Sequence, residues 1–159
     1  MFDSFSGLPI HPLVVHAVVV LLPLAVLGTI AIVVRPRWRA VYGPLVVGAA
    51  LVSTALIPVA TSSGESLEHQ VGNPGEHAEL GDQLIWFAIP LLVLSVAVVL
   101  LDRRSGRTAS SGLRGRHLLT VVSVLAVVAA VAAGVQVYRV GDSGARAAWG
   151  DTGSGSDDD

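Results

Sequence analysis

From Leu13 to Val34 the chain carries no charged residue. At 1.5 Å per residue that run reaches about 30 Å, the thickness of a bilayer's hydrocarbon core. An unpaired backbone N–H or C=O is costly in hydrocarbon, so a helix is the element such a run can form there. Three more uncharged runs follow, and they predict helices over about 12–34, 40–60, 74–101 and 117–138. The expected fold is an all-α integral membrane bundle of four transmembrane helices. It forms a single domain over residues 1–150, with a disordered acidic tail at 151–159. The first helix opens on His11-Pro12-Leu13-Val14-Val15-His16. Proline is tolerated in a helix's first turn, where its missing N–H has no partner to lose. Pro12 therefore marks the start, with His11 just outside and His16 one turn inside.

Composition agrees. Of 159 residues, 52% are hydrophobic and 14% charged, and the mean hydropathy is +0.69. There is no cysteine, which excludes disulfides, thiolate metal sites, iron–sulfur clusters and covalently attached haem. The only methionine is Met1, which argues against thioether copper. All ten basic residues are arginine, and with the abundance of Ala, Val and Gly this suggests a GC-rich bacterial genome. Residues 1–7 carry one negative charge and no positive one, unlike the basic start of a signal peptide, so the first helix is expected to stay as an anchor.

Between the helices the pattern alternates. Arg35-Pro36-Arg37-Trp38-Arg39 reads as a basic turn with an interfacial tryptophan, and Gly43-Pro44 as a possible start for the second helix. Pro23 and Pro90 predict kinks, and Pro58 frees the carbonyl of Thr54, whose own hydroxyl helps satisfy the neighbourhood. Ser62 and Glu65 fit a capping box, which predicts a separate short surface helix ending near Val71. Asn73-Pro74-Gly75-Glu76 is another start signal. Ala126, Ala130 and Gly134 form a small-residue stripe on the fourth helix. Residues 140–150 read as an interfacial turn anchored by Trp149. A Pro-Leu step leading into arginine recurs in helices one and three and hints at a duplicated hairpin. Eight of the ten arginines lie in the loops at 35–39 and 103–116, which four spans put on one side. The positive-inside rule makes that side cytoplasmic and both termini extracytoplasmic, in a bacterial plasma membrane.

This topology gathers His11, His16, His69 and His77 at the outer end, with Glu65, Glu68, Glu76, Glu79, Asp82 and Asp142. His117 alone falls on the inner side. Imidazole next to a low-dielectric layer tends to stay neutral, the form that ligates metals. Helix bundles hold metals and haem through side chains that converge from facing helices. His16 and His77 are thus candidate ligands for haem b or a divalent metal. His11, His69, Glu65 and Asp142 are further candidate metal ligands, and Gly81, one turn below His77, leaves room for a flat macrocycle. The plainer alternative is interfacial histidines bonded to carbonyls or carboxylates, with Glu65/His69 a surface pair. No charge lies deep within the spans, which argues against a pump or channel.

Three segments carry a resemblance: Leu8-Pro9-Ile10-His11-Pro12-Leu13-Val14-Val15-His16, then Gly64-Glu65-Ser66-Leu67-Glu68 with Glu76-His77-Ala78-Glu79-Leu80-Gly81, then Val140-Gly141-Asp142-Ser143-Gly144-Ala145. Together they resemble the domain-of-unknown-function 2231 family of bacterial membrane proteins, over nearly the whole chain to Trp149. The resemblance implies a compact multi-span bundle and no settled activity. Ala17 stands where an aromatic is common in the family, and Asp142 where a histidine is common. If that histidine is a ligand in relatives, Asp142 makes this site either carboxylate-ligated or weakened.

Two functions of different class follow. One is a redox or metal-binding membrane subunit with an outer histidine site. The other is a non-enzymatic accessory or scaffold protein that meets its partners through the Ala126/Ala130/Gly134 stripe. Metal-activated hydrolysis among the glutamates ranks last, since no hydrolase motif is present. The expected partners are the lipid bilayer and other membrane or redox proteins, with no nucleic acid.

Overall fold

A computed structural model of the chain describes residues 4–5, 8–71, 75–107 and 113–149. The fold is all-α. Helix α1 spans Ile10–Val34, α2 Arg39–Val71, α3 Glu76–Arg107 and α4 Leu113–Trp149. Before α1, Ser4–Phe5 pairs antiparallel with Leu8–Pro9. Each helix packs chiefly on its neighbours in sequence, and α4 closes the ring on α1. Helices α1 and α3 face one another across the diagonal with little contact.

All four helices are long and apolar enough to cross a membrane, and only 22% to 33% of each span's most apolar window is buried inside the bundle. The rest of that apolar surface faces outward, as Val20, Leu27, Leu45 and Val128 do. Such a belt is stable only against lipid. The inner faces make a core of Leu22, Ala25, Leu91, Ala88 and Ala130. Lipid is as apolar as leucine, so close packing and interhelical hydrogen bonds rather than water exclusion hold such helices together. Both are visible. A Cβ on Gly28 would lie 2.7 Å from Val46 Cγ2, and one on Gly43 would lie 2.8 Å from Val99 Cγ2. Thr29 and Ser95 share a buried hydroxyl–hydroxyl bond of 2.8 Å across the α1–α3 diagonal, while Ser95 Oγ also reaches back to the Leu91 carbonyl.

At the arginine end, Pro36–Trp38 forms a single 3₁₀ turn. Trp38 packs edge-on against Tyr42, with Arg35 over its ring. Arg39 is buried and satisfies the last carbonyls of α1: its Nε donates to Ile32 O at 2.9 Å and Nη2 to Val33 O at 3.3 Å. Its Nη1 donates to Asp102 Oδ1 at 3.2 Å and so ties α1, α2 and α3 together.

Three local expectations give way. No separate surface helix follows the second span, because α2 runs unbroken through Pro44 and Pro58 to Val71. Ser62 does not cap a helix; its hydroxyl returns to the Val59 carbonyl, as Thr61 returns to Pro58 and Ser63 to Ala60. Those back-bonds let the polar segment continue the helix it follows. Nor is there an interfacial turn at 140–149, since α4 continues to Trp149. The expected Asn73-Pro74 cap and the tail at 151–159 lie outside the described residues. Gly75 leads directly into α3; its φ of +59° suits glycine and its carbonyl accepts from Ala78 N at 3.1 Å.

Candidate functional site: the histidine end of the bundle

Opposite the arginine loops, α2, α3 and α4 extend past the most apolar part of the bundle. Here α3 carries Glu76, His77, Glu79 and Asp82 in its first two turns. His77 is half-buried against α4. Its Nδ1 lies 3.1 Å from the Val140 carbonyl and 3.2 Å from Ser143 Oγ, and Ser143 Oγ itself donates to Val140 O at 3.0 Å. A carbonyl only accepts, so Nδ1 carries the proton and splits it between the two oxygens. In the neutral ring Nε2 then keeps its lone pair. The ring lies against Gly144, where a Cβ would stand 2.9 Å from His77 Cε1.

One turn along, Gln136 is buried and its Nε2 donates to the Leu80 carbonyl at 3.1 Å. This second α3–α4 bond fixes the register that brings His77 to Val140 and Ser143. These two contacts explain why α4 stays helical through Gly141 and Gly144. Two helical glycines cost about 1 kcal/mol each relative to alanine, and the docked imidazole needs the space that one of them leaves.

The other predicted residues are placed differently. His16 sits on an exposed flank of α1, where it has an interaction partner. Counting from the Thr29–Ser95 contact, His16 lies about 20 Å and His77 about 27 Å toward this end, on diagonal helices. Glu65 is exposed on α2. Asp142 is ion-paired with Arg146 one turn on. The side chains of His11 and His69 lie outside the described residues. Among the described residues no three of His, Cys, Asp and Glu gather into a group able to hold a metal ion. Next to Gly81, one turn below His77, a Cβ would meet no atom within 4 Å, so space is open there.

The small-residue stripe is spent within the chain. Ala126 and Ala130 are fully buried, and a Cβ on Gly134 would lie 3.4 Å from Val26 Cγ1 of α1. That removes the surface on which the scaffold reading relied. Reasoning from sequence singled out His77 and the Gly-x-Ser-Gly-Ala segment separately and missed that they meet. It also passed over Gln136, though a lone amide in an apolar run was the available signal.

Comparison with known proteins adds the family. The profile of a family described as "Predicted membrane protein (DUF2231)" matches residues 7–155. Among curated proteins and among solved structures, nothing matches.

Proposed function

For a chain that belongs to the DUF2231 family of predicted membrane proteins, we propose a redox or metal-binding role centred on His77 at the outer end of the bundle. One observation carries this reading. Nδ1 of His77 is held by a backbone carbonyl and a serine hydroxyl, so the ring is oriented and Nε2 is the nitrogen left to bind. Metal-ligating histidines are commonly fixed in this way, with the second ring nitrogen donating to a carbonyl that sets tautomer and direction. The ligand class is a transition metal that accepts imidazole nitrogen, either as a bare divalent ion or as the iron of haem b. His16 is the proposed partner imidazole, from α1. The arginine loops make the opposite end cytoplasmic by the positive-inside rule, so the site faces outward.

Purified protein tests this directly, by its Soret absorbance and by elemental analysis after loading with haem b or with a divalent metal. His77→Ala should remove most binding, with His16→Ala nearly as costly and the double variant adding little, since residues that share one centre are not additive. His117→Ala, at the far end, should bind as the parent does. Full occupancy in both single variants would end the shared-site reading.

A further inference from the structure

At the arginine-loop end the seam between α1 and α4 opens into a cleft of about 460 Å³. Val33 and Arg39 form one wall, and Ser123, Val124 and Val127 of α4 form the other. Within it, Ser123 is only 7% exposed, and its hydroxyl is the one buried side-chain polar atom among the described residues without a hydrogen-bond partner. This is unusual for the chain. Ser53, Thr54, Ser95 and Thr120 each return their hydroxyl to the carbonyl four residues back. Ser123 instead lines the cleft, and a bilayer offers no water to satisfy it.

The rim is cationic. Arg39 has five N–H donors, and its bonds to Ile32, Val33 and Asp102 engage three of them. Arg116 is exposed one turn before Thr120, which also lines the cleft, and Arg35 is exposed two residues after Val33.

Apolar walls, an unpaired hydroxyl inside and arginines at the mouth fit one kind of occupant. We propose that this cleft binds an anionic phospholipid. One acyl chain lies along Val124 and Val127. The phosphate meets Arg116 and the remaining donors of Arg39, and the Ser123 hydroxyl, tucked into the cleft wall, rotates outward to donate to a glycerol-ester carbonyl. Basic pockets between spans recognise anionic headgroups by this combination. A zwitterionic lipid fills the same walls but does not match the charge of the rim.

The test is native mass spectrometry of the full chain, released from bilayers of equimolar phosphatidylglycerol and phosphatidylcholine. The parent should retain phosphatidylglycerol at least about five-fold over phosphatidylcholine, and Arg116→Ala should remove about that factor. Ser123→Ala should lower retention while leaving the helical circular dichroism unchanged. Val124→Trp, at an exposed position that fills the cleft, should abolish retention of either lipid. Equal retention of the two lipids by the parent would overturn the proposal, as would a preference that survives both Arg116→Ala and Val124→Trp. Retention that inorganic phosphate abolishes would assign the site to a free anion and overturn it as well.

Discussion

His77 owes its orientation to atoms on another helix. Its Nδ1 proton is shared by Val140 O and Ser143 Oγ, and the ring fits because residue 144 has no Cβ. Gly144→Ala should therefore push the ring off its partners and cost about 1–3 kcal/mol, the usual penalty of overpacking. Gly81→Ala, into open space on a helix, should instead stabilise by up to about 1 kcal/mol, the helical preference for alanine over glycine. Reversible unfolding in mixed micelles measures both, and equal losses would mean that the contact at Gly144 is not what seats the imidazole. The Thr29–Ser95 bond is the comparable feature at mid-bundle. Thr29→Val keeps the shape and removes the hydroxyl, and should cost about 0.6 kcal/mol in the same assay, since the membrane-unfolded chain also finds partners for Ser95.

Among the helices, α2 departs furthest from local expectation. Its polar end from Thr61 to Val71 carries a start signal, yet it belongs to the helix already under way. The difference is measurable. An N-cap serine is worth about 1 kcal/mol, whereas a hydroxyl bonded back to its own helix is worth little. Ser62→Ala should accordingly change unfolding free energy by less than about 0.5 kcal/mol, and a loss near 1 kcal/mol would restore the separate-helix reading. Close approach between helices is set by Gly28 against Val46 and Gly43 against Val99. A leucine at either position would force neighbouring valines to move, at a cost of about 1–3 kcal/mol.

At the scale of the whole molecule, the bundle has two chemically opposite ends separated by an apolar belt. One bears eight arginines, at 35–39 and 103–116, and the other bears the acidic start of α3 and the docked His77. The absence of native cysteine makes orientation simple to test. A membrane-impermeant thiol reagent applied from outside should label Ser66→Cys and spare Ser105→Cys. The reverse pattern would invert the topology, moving the histidine end to the cytoplasm and the proposed lipid cleft to the outer leaflet.

Four uncharged runs, each long enough to span hydrocarbon, determine four membrane helices whatever their neighbours do, because an isolated apolar helix already satisfies its own backbone. For that reason the all-α bundle was legible in the residues alone, and the family resemblance was legible through its three motif segments. Element ends were less so. Ser62/Glu65 and Gly141/Gly144 are local signals for stopping or restarting a helix, and local signals are worth about a kilocalorie, less than the packing that overrides them. Only the tertiary structure could decide that Ser143 and Gly144 receive His77, that the Ala126/Ala130 stripe is used inside the chain, or that Ser123 has no partner. Each of these depends on which face of α4 meets α1 and α3. Helices that are apolar all round carry no periodic polar face from which that rotation can be read; it is set by where small residues let two backbones approach.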